Sequence, residues 1–177
     1  MAITSGGIIA AGEGSRFKRA GTTLHKPMIP VNGTPLIEHT LKNFESCGVK
    51  RVVIIFNEQE KECVSWVRER FPRLQLEFIV KSTSSSFESF VLVGRQLGVG
   101  RHLMTTVDSI TSPHEFKKML THPMYENDAV YLGVTSFVED EKPLWVKMNR
   151  VENRIVELGG VDGSHATAGF YGGSDSL

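Results

Sequence analysis

What this chain lacks first is net charge: 20 lysines and arginines balance 20 aspartates and glutamates. Without surplus positive charge it has no electrostatic footprint for non-specific nucleic-acid binding or for an anionic membrane surface, although a local basic pocket stays open. Cysteine is scarce. Cys47 and Cys63 are the only two, fall in expected helices and have no C-x-x-C spacing, which fits reduced core thiols of a cytoplasmic protein rather than a disulfide framework. The six histidines are scattered, with no H-x3-H pair and no cysteine partner, so a zinc site is not expected. No apolar run approaches a membrane span. The run from Gly6 to Ala11 is too short for a signal peptide and has no basic stretch before it. What is present is 40% hydrophobic and 23% charged residues over 177 positions, the composition of one globular domain with its own core.

Strand and helix patterns alternate over the first two-thirds. "GGIIAA", "RVVIIFN", "LQLEFIV" and "RHLMTTVD" are buried strands, the last ending at Asp108. Between them, "TPLIEHTLKNFESCG" places Leu36, Ile37, Leu41 and Phe44 at helical spacing, with Thr34 as N-cap, Pro35 at the first helical position and Gly48 closing the helix. "EQEKECVSWVRERF" is a helix with Val64, Val67 and Phe71 on one face, so Trp66 and Phe71 need no cofactor to explain them. "SSFESFVLVGRQLG" is a helix starting near Ser84 or Ser85, and "SPHEFKKMLTH" is a helix capped by Ser112 with Pro113 first. The last third holds four strands, "DAVYLGVTSF", "LWVKMN", "RIVELGG" and "ATAGFYGG", with a hairpin turn at "NRVENR". The pattern predicts βαβ units on a parallel sheet with a mixed or antiparallel extension.

The stretch after the first strand, Gly12-Glu13-Gly14-Ser15-Arg16-Phe17, is a glycine-rich loop. A dinucleotide fingerprint needs a third glycine where Phe17 stands, at the start of a helix, and this loop is not expected to open directly into one. No G-K-[ST] closes it as a P-loop, and no G-x-S-x-G is present. What remains is two glycines that admit close backbone approach, with Arg16 and Lys26 as flanking cations. An anionic ligand on backbone amides, with Arg16 and Lys26 against its phosphates, accounts for them; a tight turn with two surface cations is the plainer alternative.

These residues carry a resemblance. Ala10, Ala11, Gly12, Gly14, Arg16, Lys26, Pro27, Pro30, Val31, Gly33, Pro35, Leu36 and Ile37 follow in order the A-A-G-x-G-x-R, K-P-x-x-P-V and G-x-P-L-I pattern. That pattern is the signature of the nucleoside-triphosphate transferases, the sugar-1-phosphate nucleotidylyltransferase (pyrophosphorylase) superfamily. The likeness is strongest over residues 3–56 and stays collinear to about residue 173.

The resemblance implies a glycosyltransferase-A-like, Rossmann-type α/β three-layer sandwich, with residues 1–177 as a single nucleotidyltransferase domain. Ala10, Ala11, Gly12, Glu13, Gly14 and Ser15 would wrap a nucleoside triphosphate, with Arg16 and Lys26 on its phosphates. Asp108 would hold Mg2+. It is also a carboxylate at the carboxyl end of a parallel strand, where open α/β sheets bind ligands; a turn residue bonding its own backbone is the alternative.

The chain departs from the family in several places. It has Val107-Asp108 in place of Gly-Asp, and a second metal aspartate has only Asp175 as a late candidate. One carboxylate is enough for a Mg2+ that keeps waters and phosphate oxygens. Ser82 to Ser86 stand where the family has a base-contacting turn; Ser85 is the nucleotide-binding candidate there, and a serine N-cap is the alternative. Asn57, Lys142, Lys147 and Gly169 are the acceptor-side candidates, although Asn57 also fits a turn cap and both lysines also fit solvated surface positions. Whether a terminal helical segment completing the acceptor pocket is missing stays open.

The implied reaction joins a nucleoside triphosphate to a phosphorylated small molecule, first of all a sugar 1-phosphate, with release of pyrophosphate. Choline phosphate and a molybdenum-cofactor acceptor remain open, as do the base and a homo-oligomeric state. No nucleic-acid or membrane partner is expected. The alternative from another class is a nucleotide-binding regulatory module on the same fold.

Overall fold

The computed structural model describes residues 3, 5–19, 21–122, 130–138, 143–149 and 154–173; the side chain of Arg16 lies outside what it describes. The elements in order are β1 (Ser5–Ile9), α1 (Ser15–Arg19), β2 (Pro30–Val31), β3 (Thr34–Pro35), α2 (Leu36–Ser46), β4 (Arg51–Phe56), α3 (Glu62–Arg70), β5 (Gln75–Val80) and α4 (Ser86–Leu97). There follow β6 (His102–Thr106), α5 (Pro113–Leu120), β7 (Tyr131–Thr135), β8 (Trp145–Asn149), β9 (Arg154–Leu158) and β10 (His165–Gly173).

Eight strands form one sheet in the order β5-β4-β1-β6-β10-β8-β9, with β7 also paired to β10. β5, β4, β1 and β6 are parallel. β10 runs antiparallel to β6, β7 and β8, and β8 is antiparallel to β9. The parallel sheet of the first two-thirds with an antiparallel last third is therefore as the sequence predicts.

Alternation along the strands explains the three layers, because successive side chains of a strand point to opposite faces. Ile8, Val52, Ile54 and Phe56 face one core, which holds Leu41 and Phe44 of α2, Val67 of α3 and Phe116 of α5. Ile9, Val53, Ile55 and Met104 face the other, closed by Val93 and Leu97 of α4. The adjacent glycines of β1 belong to this packing. A Cβ on Gly6 would lie 2.6 Å from Cζ of Phe44, and one on Gly7 would lie 2.5 Å from Cγ1 of Val93.

The sequence-predicted caps hold at three helix ends. Ser112 accepts from the Glu115 amide at 3.2 Å and Ser85 from the Glu88 amide at 3.1 Å. α2 closes with the amides of Gly48 and Val49 on the carbonyls of Glu45 and Phe44, both at 3.1 Å, a Schellman arrangement.

Four expectations need correction. Thr34 does not cap α2: it pairs with Val31 in the β2–β3 hairpin across Asn32-Gly33, so Pro35 becomes the N-cap and the helix begins at Leu36. The glycine-rich loop does open into a helix, the five-residue α1. The single helix expected from Glu58 is a 3-10 turn, Glu58–Glu60, followed by α3. Cys47 is the C-cap residue of α2 rather than part of its interior. Cys63 is a buried free thiol whose ionisation burial and the charges of Glu60 and Glu62 push up to about 12, which makes it chemically inert.

Candidate active site

The chain runs outward from β1 to β4 and β5, then returns to place β6 on the other side of β1. Open α/β sheets bind ligands at such a reversal, outside the carboxyl ends of the strands. Two of the expected site segments leave from there: the glycine-rich loop follows β1, and Asp108 follows β6.

Asp108 is not the last residue of its strand. β6 ends at Thr106, and Val107 and Asp108 form a turn. The turn is pinned by Val107 N donating to Ile9 O at 3.1 Å and Ser109 N donating to Thr106 O at 3.2 Å. The Thr106 and Ser109 hydroxyls, 2.6 Å apart, close the bend, which the strand-like run before Asp108 does not reveal.

Lys26 starts a 3-10 turn over Lys26–Met28 and reaches back across the loop. Its Nζ donates to Asp108 Oδ2 at 2.7 Å. Gly14 adopts φ +61°, and a Cβ there would stand 3.1 Å from Cβ of Lys26, so this position needs glycine both for its backbone and for the stem of Lys26. A Cβ at Gly12 would point at the ammonium from 3.9 Å. Ala10 and Ala11 are buried at the strand exit, whereas Glu13 and Ser15 are exposed. The backbone of Arg16 lies in α1 beside them, its side chain outside the described residues.

The local charges follow from this packing. Burial raises the Asp108 carboxyl, but the Lys26 charge and hydrogen bond, with help from its own backbone and Thr106, hold it below its ordinary value. Glu60, buried beneath the same loop, shifts the other way. Burial raises it more than the Asn57 amide and the charges of His25, Lys18 and Lys26 lower it. His25 in turn holds Glu62 of α3 at 3.0 Å, tying the segment before Lys26 to that helix.

The remaining candidates are spread around the rim. Asn57 is a cap: its Oδ1 accepts from the Gln59 amide at 3.0 Å and its own amide donates to Glu60 Oε2 at 3.2 Å. Ser85 caps α4, and the loop before it is closed by Glu88, which accepts from Lys81 at 2.7 Å and from the Ser84 amide at 2.8 Å. Those donors hold the Glu88 carboxyl down at about 2. Lys147 is engaged by Glu157 at 3.0 Å and Asp162 at 3.6 Å, well down the antiparallel extension. Lys142 and Asp175 lie outside the described residues.

Gly169 is brought close to the Asp108 turn. It sits in a bulge of β10 with φ +76°, where a Cβ would collide with Ser109 Oγ and Thr106 Oγ1. Tyr171, two residues on, packs edge-on against Phe90 of α4 at 5.4 Å. Burial raises its phenol, a hydrogen bond with Thr167 opposes this, and the Asp108 charge raises it further. Thr106, Ser109, His25 and Glu60 are site neighbours that the sequence reading missed. The polar residues flanking Asp108 in "TTVDS" were the available signal.

No cluster of three metal-ligating side chains forms among the described residues. Asp108 is a single hard carboxylate with a 45% exposed side chain, and it suits a Mg2+ whose other ligands are water and phosphate oxygens.

A glycine-rich loop and a carboxylate at the reversal point of this sheet stand where open α/β folds bind ligands. Residues 6–151 match the MobA-like NTP transferase domain, and the chain belongs to that family. It is 36% identical over 93 residues to the 2-aminoethylphosphonate cytidylyltransferase of Lancefieldella rimae, a match covering 50% of this chain and 37% of the relative. It is 22% identical over 124 residues to the choline-phosphate cytidylyltransferase of Haemophilus influenzae, covering 65% and 53%. The chain thus spans well under two thirds of the length of these curated relatives. In fold it is similar to the inositol-1-phosphate CTP transferase from T. maritima, with a TM-score of 0.78 and 21% identity, over 98% of this chain and 71% of that one. No described helix is long and apolar enough to cross a membrane.

Proposed function

We propose that residues 1–177 work as one nucleotidyltransferase domain that joins a nucleoside triphosphate to a phosphorylated small molecule, first of all a sugar 1-phosphate, and releases pyrophosphate. The observation that carries this reading is the contact of Lys26 with Asp108 across the glycine-rich loop, at 2.7 Å. It supports the reading because it pairs a cation and an anion beside the carboxyl ends of the parallel strands, where open α/β sheets bind ligands.

The backbone of Ala10 to Ser15 would wrap the triphosphate, and Arg16 would grip its phosphate oxygens in a bidentate manner. Lys26 would exchange Asp108 for the departing pyrophosphate as negative charge accumulates there. Asp108 would hold Mg2+, which when bound supplies charge neutralisation on the phosphates. The acceptor phosphate oxygen would attack the α-phosphorus in line, without a covalent enzyme intermediate, so the protein's contribution is positioning and electrostatics. The acceptor would enter from the β10 side, where Gly169 and Tyr171 stand. Asn57 and Ser85 would line the nucleotide rim while capping their turns. Lys147 serves only if the acceptor phosphate displaces Glu157. A cytoplasmic site of action fits the free thiols Cys47 and Cys63.

A second acceptor class is favoured by the named relatives, which act on choline phosphate and 2-aminoethylphosphonate. Pyrophosphate release from CTP, UTP and dTTP with Mg2+ decides between these readings. The panel is glucose 1-phosphate, inositol 1-phosphate, choline phosphate and 2-aminoethylphosphonate. Acceptor-dependent release supports transfer; tight triphosphate binding with no release from any acceptor points instead to a regulatory module.

A further inference from the structure

β6 and β10 are neighbours in the sheet, and their ends are joined by side chains as well as by the ladder. Thr106 Oγ1 lies 2.6 Å from Ser109 Oγ, and Ser109 Oγ donates to Ala168 O at 2.8 Å, across 59 positions of sequence. β10 bulges at this place: its register against β7 shifts between Thr167 and Tyr171. Gly169 turns the bulge at φ +76°, and both hydroxyls fill the space that a Cβ there would need. Hydroxyl pair, bulge and glycine therefore form one joint, with Asp108 in the turn between Thr106 and Ser109.

The Ser109 hydroxyl links the two sides of that joint: its proton goes to Ala168 O while its oxygen lies against Thr106 Oγ1.

We propose that Ser109 is a positioning residue that fixes the acceptor-side strand β10 at a set distance from the Asp108 turn. This rests on the nucleotidyl-transfer reading above. In-line attack needs the acceptor oxygen aligned on the α-phosphorus, and small misplacements of reacting groups cost large factors in rate. The triphosphate loop leaves from β1, on the other side of β6 from β10, so its grip on the nucleotide does not depend on the joint.

The test uses the full chain with CTP, Mg2+ and whichever acceptor of the panel gives the fastest pyrophosphate release. Ser109→Ala should lower kcat by on the order of 10-fold to 10²-fold. CTP affinity by calorimetry should stay within about twofold, and the melting temperature should fall by no more than about 3 °C. Amide exchange at residues 167–170 should speed up, with the parallel strands unaffected. Thr106→Ser, which keeps the hydroxyl, should retain parent rates. Thr106→Val combined with Ser109→Ala should be no slower than the slower single variant, because the two act as one unit. Unchanged kcat in Ser109→Ala overturns the proposal. So does a fall in kcat matched by equal losses of CTP affinity and thermal stability, or a Thr106→Ser variant as slow as Ser109→Ala. If the parent chain releases no pyrophosphate with any acceptor, the functional reading fails, and exchange alone decides the joint: unaltered exchange at 167–170 in Ser109→Ala removes it.

Discussion

Lys26 Nζ lies 2.7 Å from Asp108 Oδ2, joining residues 82 positions apart, one in the 3-10 turn after the glycine-rich loop and the other in the turn after β6. The lysine side chain is 18% exposed and the aspartate 45%. A half-solvated ion pair of this kind contributes little to folding, roughly 0–1 kcal/mol. Its value lies in holding two charged groups of opposite sign ready at one edge of the sheet, each able to take a new partner.

Lys26→Ala should therefore leave the fold almost untouched and slow the reaction. The melting temperature is expected to move by no more than about 3 °C. The rate of pyrophosphate release should fall by on the order of 10²-fold or more, since the ammonium matters most when charge builds on the leaving group. Turnover equal to the parent in a steady-state assay would remove Lys26 from the chemistry.

Glu38 governs acid stability. It is 4% exposed on α2. Burial raises its carboxyl, but Lys42 at 2.7 Å and Arg70 at 2.9 Å more than offset this and hold it below the ordinary value. A lowered folded-state pKa gives stability that is complete above the unfolded value, near 4.3, and is lost as pH falls through the folded value. Glu38→Gln should cost about 1–2 kcal/mol at pH 7. The difference from the parent should begin to shrink below about pH 4 and go on shrinking as pH falls further. A difference in thermal melts that stays constant through the whole acid range would mean that shape rather than charge holds Glu38.

Glu60 should behave in the opposite way. Its carboxyl is raised, so the folded protein keeps a proton over a range where the unfolded chain has released it. Stability then falls as pH rises from the unfolded value near 4.3 through the folded one. Glu60→Gln keeps an oxygen for the Asn57 amide and removes the buried charge. The melting temperature of Glu60→Gln minus that of the parent should grow between pH 4 and pH 7. A shrinking difference would show that Lys18, His25 and Lys26 outweigh burial.

Local periodicity made most of the fold legible. Ile8 and Ile9, or Val53 and Ile54, face opposite cores, and Ser112, Ser85 and Gly48 mark their helix ends by chemistry that acts within a few residues. The loop glycines and Lys26 were legible for the same reason, since a motif with fixed spacing is local. The failures came from pairings that spacing does not encode. Val31 claimed Thr34 through a hairpin with strands of two residues each, too short to compete in a periodicity reading. Nor does spacing show that Lys147, an acceptor-side candidate that also fits a solvated surface position, meets Glu157 once β8 pairs with β9. Gly169 was legible as a special position, but its cause, the Ser109 and Thr106 hydroxyls, lies in another strand and the turn that follows it.

Asp108→Asn is the sharpest test of the proposed metal carboxylate. The side chain stands in a turn whose backbone is fixed by Ile9 O and Thr106 O, and Asn keeps its shape, so those backbone bonds survive. The substitution removes the negative charge that pairs with Lys26 and leaves one carbonyl oxygen in place of a carboxylate. Mg2+ is a hard cation that depends on anionic oxygen, so it should bind far more weakly to the variant. Lys26 then faces no anion at rest and becomes free for the triphosphate, so CTP without metal should bind at least as tightly as to the parent. Calorimetry should accordingly show retained CTP binding, a melting temperature within about 3 °C of the parent without metal, and loss of the Mg2+-dependent gain in affinity. Pyrophosphate release should disappear. If Asp108→Asn instead melts far below the parent while its folded fraction keeps full Mg2+-dependent turnover, Asp108 is a structural turn residue and the metal is held elsewhere.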